Sequence, residues 1–245
     1  MSSSKKRAYE RLRQGTEPLD ENTRELVDSR LADLVDYQDA TYAARYLDAV
    51  LTVNRAEMAQ VADQAITRAF ATNLHKLMAY KDEYEVARLY LQVDFGDQIN
   101  SAFEAPQRVS YQLHPPVLRA LGVDRKISLG PWFRPGLRTL RAMRRLRATP
   151  FDIFGGATVR RTERELVDWY VRLVDDALSR ARPGDAGSSN TVQSIAEIPD
   201  RIRGYEQIKL DNIATAKEEA GELLARLERR HLPLVLASGS PVDQP

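Results

Sequence analysis

Apolar and aromatic side chains first recur in steps of three and four at Val27, Leu31, Leu34, Val35, Tyr42, Tyr46, Ala49, Val50 and Val53. No Pro or Gly interrupts the stretch, and Asp20 or Asn22 can cap its start, so it predicts one long amphipathic helix. A second such pattern runs from about Glu57 to Tyr90, through Val61, Ala65, Ile66, Ala69, Phe70, Leu74, Leu77 and Met78. Asn73 is the point at which it could divide. The lengths predict that these two helices form an antiparallel hairpin.

The middle of the chain is less regular. Val109–Leu113 alternates like a short strand and stops at His114-Pro115-Pro116. Gly130-Pro131 and Pro135-Gly136 bracket Trp132 and Phe133, and a helix follows to about Arg147. Thr149 to Gly156 reads as an aromatic, turn-rich connection. Thr158 opens a helix reaching about Ala181, with Leu166, Tyr170, Leu173, Val174 and Leu178 on one face. Arg182 to Asn190 reads as a loop, followed by helices over Thr191–Glu197 and Tyr205–Arg230. The expected fold class is mainly α: a multi-helix, bundle-like domain with long antiparallel helices and a small irregular or β segment near 105–135. One domain over 21–231 is expected, with a flexible arm at 1–20 and a disordered tail at 232–245.

Composition narrows the function classes. The 245 residues include no cysteine, which excludes disulfides, thiolate nucleophiles and cysteine-held zinc or iron–sulfur centres within this sequence. The apolar runs fall short of the ~18–20 residues of a membrane span, and Met1 to Arg7 precedes no apolar stretch. A soluble, cytoplasmic protein is the expectation. The net charge of +1 conceals an uneven distribution. Between Arg134 and Arg164 stand nine arginines against Asp152 and Glu163, a surplus of +7, leaving −6 for the rest.

Motifs of known chemistry are scarce. Gly96-Asp97 is followed by Gln98, without the Gly-Asp-Gly turn and the later Asn-Asn that thiamine diphosphate requires. Glu228 and His231 have the spacing of a di-iron ligand pair, but no second such motif accompanies them. No phosphate-binding loop, dinucleotide fingerprint or nucleophile elbow occurs, and the three histidines are far apart. No metal site and no cofactor site are expected in the chain itself.

Two polar features stand out. The first is His75, Lys76, Lys81, Asp82, Glu85 and Arg88, where helical spacing allows Lys81 to pair with Glu85 and Glu85 with Arg88. Tyr80 and Tyr84 lie one turn apart beside them. The cluster reads either as an acid–base or anion site or as a half-buried ion-pair network that orients helices, and the spacing favours the second. The second feature is an arginine stripe, Arg134, Arg138, Arg141 and Arg145, flanked by Arg144 and Arg147, with Leu137, Leu140 and Leu146 left to face the core. Trp132 and Phe133 beside it read as an aromatic plug over the core, or as part of a partner or anion surface.

The stretch Asn73-Leu-His-Lys-Leu-Met-Ala-Tyr-Lys-Asp-Glu-Tyr-Glu-Val-Ala-Arg-Leu-Tyr90 resembles the C-terminal domain of the long, fused bacterial indolepyruvate:ferredoxin oxidoreductases. Further matching stretches are Tyr37–Tyr46, Leu113–Pro116, Leu129–Phe133, Leu146–Gly155, Arg160–Arg164 and Ile202–Tyr205. The resemblance spans about Leu34 to Ile213. It implies an accessory domain, non-catalytic by itself, that docks to a catalytic subunit of a 2-oxoacid:ferredoxin oxidoreductase. Thiamine diphosphate and iron–sulfur clusters would then sit on that partner chain, with ferredoxin a further candidate partner. The resemblance carries over no catalytic residue. The family's usual glycines are replaced by Ala148 before Thr149 and by Ala105-Pro106 after Glu104, which removes access to positive φ there. The alternative is a free-standing small-molecule binder or enzyme using the Lys81–Arg88 cluster, and after it nucleic-acid binding through the Arg134–Arg164 face, which lacks interleaved aromatics.

Overall fold

The computed structural model describes residues 2–61, 63–92, 111–113, 127–147, 149, 152, 158–204 and 206–231. Those residues are mainly α-helical, as expected. The helices are α1 (Ser3–Gln14), α2 (Glu21–Tyr37), α3 (Ala40–Met58), α4 (Ala65–Met78), α5 (Glu83–Gln92), α6 (Arg134–Met143), α7 (Thr158–Arg180), α8 (Ala186–Glu197) and α9 (Glu206–His231). Two short strands, β1 (Tyr111–Leu113) and β2 (Ile127–Leu129), pair antiparallel with Tyr111 opposite Leu129. They lie inside the segment expected to be irregular or β.

The first long pattern of the sequence is two helices, and the second takes in the end of α3 and then α4 and α5. The first breaks at Gln38-Asp39, where the Asp39 carboxylate accepts the Tyr42 backbone N–H and caps α3. Asp20 does the same for α2 through Thr23. A side-chain cap satisfies an N–H that the helix itself cannot, so an Asp inside a periodic stretch can open a new helix. The second pattern breaks between Ala59 and Gln64 and again between Ala79 and Asp82, not at Asn73. Asn73 is buried inside α4, and its amide donates to the carbonyls of Ala69 and Ala196. Glu57, near the end of α3, supplies the α4 cap: its carboxylate accepts the N–H groups of Ile66 and Thr67 and the Thr67 hydroxyl. Burial pushes the Glu57 carboxyl up, and those three donors oppose the shift.

Two further expectations are corrected. Residues 3–14 are not a flexible arm but helix α1, packed on α2 with Tyr9 and Leu12 against the core. Lys5 reaches Asp36 at 2.7 Å and Arg13 reaches Asp28 at 2.9 Å. The loop expected over 182–190 is shorter, because Asp185 caps a helix beginning at Ala186, whose Ser188 and Thr191 are buried. The stretch at 114–116, the Gly96-Asp97 pair, most of the 149–156 connection and the tail from 232 lie outside the described residues.

Helix α4 is the centre of the bundle, in contact with α2, α3, α7 and α8. One apolar core runs through Leu31, Tyr46, Val50, Phe70, Leu74, Tyr170, Val174 and Ile195 and reaches Leu227 of α9. Phe70 and Tyr170 stack with centroids 5.2 Å apart. The buried hydroxyls are satisfied across helices, Tyr46 donating to the Ala71 carbonyl and Tyr170 to that of Ala196. Helices α5 and α6 pack on one another around a separate small cluster, Ala87 and Leu137 with Tyr90, Leu91, Phe133 and Leu140.

Deleting residues 1–14 should therefore lower the melting temperature. The lost burial of Tyr9 and Leu12 is worth about 2–3 kcal/mol, or roughly 5–10 °C for a chain of this size. Differential scanning calorimetry of the truncated chain checks this, and an unchanged midpoint would restore the flexible arm.

Candidate functional site

The C-terminal end of α2 is where the two apolar clusters meet, and the contact is polar. Arg88 of α5 forks onto Glu85, with Nη2 and Nε at 2.6 and 2.7 Å from the two carboxylate oxygens. Its Nη1 reaches Asp36 at 3.1 Å and its Nη2 reaches Asp33 at 3.2 Å, both on α2. Three carboxylates thus surround one guanidinium and push its pKa up despite burial. Asp33 in turn sits 3.1 Å from His75 Nε2 of α4, and its carboxyl is held below the ordinary value by that bond and by Arg88, against burial.

Arg147 forms the second half. It follows a 3-10 turn at the end of α6 and is paired with Asp82, each side chain 3% exposed. Nε and Nη2 bond the two Asp82 oxygens at 2.5 and 2.7 Å, and Nη1 donates 2.8 Å to the Tyr37 carbonyl. That carbonyl ends α2, where the helix presents partial negative charge to a cation. The guanidinium also lies 3.8 Å above the Tyr37 ring and 5.5 Å from that of Tyr84. Asp82 accepts the Glu85 N–H at 2.7 Å as well, so one carboxylate both caps α5 and holds Arg147. The Tyr84 hydroxyl donates to Asp152 at 3.1 Å. Burial, first of all, raises its pKa.

The structure therefore unites His75, Asp82, Glu85 and Arg88, but not Lys76 or Lys81. Lys81 precedes the first residue of α5 and is exposed, so the expected Lys81–Glu85 pair does not form; Arg88 takes both Glu85 oxygens. Lys76 points the other way, to the Pro199 carbonyl and Asp200. It lines a recess of about 50 Å³ with Tyr80, Glu163 and Lys209, where Glu163 and Lys209 pair at 2.5 Å. That volume is far below the ~300 Å³ at which pockets for organic ligands begin. Asp33, Asp36, Tyr37 and Arg147 are the members that sequence reasoning missed. Helical spacing puts Arg147 on the flank of the surface stripe, yet it is buried.

The four arginines of the stripe differ in exposure. Arg134, Arg138 and Arg145 are exposed and Arg141 is half-buried, while Leu137 is fully buried and Leu140 packs beside it. Phe133 packs on the small cluster, but Trp132 is 72% exposed and plugs nothing. It stands edge-on to Phe133 at 5.7 Å. Glu228 is exposed and pairs with Arg180. Among the described residues, no group of three His, Asp or Glu side chains is placed to hold a metal ion. No helix among them is long and apolar enough to cross a membrane.

The profile of a family of unknown function (DUF6537) matches residues 23–222, and the chain belongs to that family. No curated protein and no solved structure matches it.

Two outcomes follow from the geometry. Glu85→Ala should cost about 2–4 kcal/mol, because buried Arg88 loses the carboxylate it grips with two bonds, and Arg147→Ala about 3–5 kcal/mol, because it strands the buried Asp82 carboxylate. Lys81→Ala should stay within ~0.5 kcal/mol. Urea unfolding of the three variants measures this, and an unaffected Glu85→Ala would reopen a solvent-facing site.

Acid should loosen the same region. The carboxyls of Asp33 and Asp36 are both held below their ordinary value, Asp33 first by His75 and Asp36 by Lys5 and Arg88 against burial. A depressed folded pKa contributes stability above the unfolded value, about pH 3.9, and that stability is lost as pH falls through the folded value. Melting temperature should therefore drop more steeply below about pH 4 in the wild type than in Asp33→Asn, and equal slopes would contradict the assignment.

Proposed function

We propose that this chain is a non-catalytic docking domain of a 2-oxoacid:ferredoxin oxidoreductase system, associating with a catalytic subunit that carries thiamine diphosphate and iron–sulfur clusters. The observation that carries the reading is the surface of α6. Arg134, Arg138 and Arg145 are exposed, none of them pairs with a carboxylate among the described residues, and Trp132 stands uncovered beside them. Tryptophan and arginine are the residue types that dominate binding hot spots. Unpaired surface cations steer an acidic partner and set its orientation. The resemblance over Leu34–Ile213 supplies the identity of that partner.

The polar cluster supports the non-catalytic side of the reading. Catalytic groups need a reacting atom within hydrogen-bond reach. Here both oxygens of Glu85 and of Asp82 are already bonded to arginine, and the Arg88 and Arg147 forks are spent on carboxylates and a backbone carbonyl. A free-standing enzyme built on Lys81–Arg88 would have to break this network in order to use it. Docking through a surface that the fold leaves unpaired needs no such rearrangement.

A tagged full-length chain, used as bait in native lysate at low salt, tests the proposal. The wild type should recover a 2-oxoacid oxidoreductase subunit, and the variant with Arg134, Arg138 and Arg145 changed to Glu should lose it by at least about tenfold. If the wild type recovers no such subunit, or the purified chain turns over a small molecule unaided, the docking reading fails.

A further inference from the structure

Two glycines seat the aromatic pair at the head of α6. A Cβ on Gly130 would lie 2.9 Å from Trp132 Cδ1 and 3.1 Å from its Nε1, and one on Gly136 would lie 2.6 Å from Phe133 Cε2. Carbon atoms in ordinary contact sit about 3.5–4.0 Å apart, so each ring rests on backbone that only glycine leaves bare. Neither glycine has a positive φ, so it is the space, and not the backbone conformation, that calls for glycine. Phe133 packs on the small cluster with Leu137 and Leu140, and Trp132 stands edge-on to it. Trp132 is nonetheless the most exposed large apolar side chain among the described residues. An indole held against backbone at one edge and open to water elsewhere has little rotamer freedom left to lose on binding.

Cations lie in a row behind it. Arg134 and Arg138 are one turn apart on the exposed face of α6, and Arg145 follows in the 3-10 turn. At about 1.5 Å per residue, the row from Arg134 to Arg145 is about 16 Å long. Trp132 precedes Arg134 by two residues, so the apolar element stands at one end of the row and not within it. Extended chain rises about 3.3 Å per residue, so about five residues span the row. The complementary ligand is a short acidic run with an apolar side chain at one end. A nucleic acid also brings negative charge and stacking rings. With a net charge of +1, however, the chain lacks the broad basic field by which such proteins gather a polyanion.

We propose that this surface takes a short acidic segment of a partner protein, whose terminal apolar side chain packs on Trp132, and that Gly130 is the positioning residue for the ring. The inference rests on the docking reading and adds what the partner must present. Gly130→Ala would drive the indole off its seat. Because Trp132 is exposed, the ring can swing into solvent, so the loss falls on binding and not on the fold.

Synthetic peptides test this without any oxidoreductase. The chain has two tryptophans, so Trp169→Phe leaves Trp132 as its one indole reporter. Its fluorescence is followed while the full-length chain is titrated at low salt with glutamate peptides of about six residues, carrying leucine first, leucine last or no leucine. Saturable binding with a blue shift is expected for at least one leucine peptide, at least about tenfold tighter than for the peptide without leucine. Gly130→Ala should erase that preference without lowering the melting temperature, and Arg134→Gln with Arg138→Gln should weaken all the peptides by about tenfold. No saturable binding, equal affinity with and without leucine, a preference that survives Gly130→Ala, or oligothymidylate bound as tightly as the leucine peptides would each overturn the inference. If the peptides behave as expected while the lysate yields no oxidoreductase subunit, the identity of the partner falls and the acidic segment stands.

Discussion

The structure depends on how two arginines are held at one helix end. Arg88 and Arg147 come from the two ends of the small α5–α6 unit, and both reach the last turn of α2 in the main bundle. Among the described residues the apolar clusters on either side are separate, and the union between them rests on charge and hydrogen bonds. Such a union is not a large source of stability, because desolvating the ions cancels much of the attraction. It is demanding about geometry instead. A bidentate arginine tolerates little displacement before a buried charge is stranded. Asp82 shows the economy of the arrangement, since the carboxylate that fixes Arg147 also starts α5.

That constraint positions the surface. Helix α6 is fixed on its inner side by Leu137 and Leu140 against α5, and at its end by Arg147 in the bundle. With one side buried, the remaining arginines fall by helical spacing onto the outer face and the flank. The inner polar groups are consumed in holding the unit, and the outer ones remain available. With Glu85 and Asp82 committed to a buried latch, Arg134, Arg138 and Arg145 have no carboxylate partner among the described residues.

Helix α1 joins the same logic from the other side of α2. Lys5 bonds Asp36 and the Asp36 backbone carbonyl, so the first helix, the second and α5 share one carboxylate. Glu57 repeats the device elsewhere, joining α3 to the start of α4 through three donated hydrogen bonds. In both places a carboxylate near the end of one helix organises the next, and the bundle turns corners without glycine at those points.

Periodicity was enough to establish a mainly helical fold, the identity of most core positions and the strand before residue 114, because amphipathic spacing is a local property. The Glu85–Arg88 pair was legible for the same reason, being three residues apart on one helix. The breaks at Asp39 and around Ala59–Gln64 were not, since an uninterrupted apolar rhythm hides a capping side chain unless its bonded N–H is known. Helix α1 carries too few apolar residues to announce itself, and it is docking on α2 that makes Tyr9 and Leu12 core. Arg147 could not be told from its surface neighbours, because its partners Asp82 and Tyr37 lie 65 and 110 residues away in sequence. Local pattern determined which residues are helical. Only the tertiary structure decided which arginines are matched by buried carboxylates and which are not, because charge compensation depends on distances that the chain sets by folding.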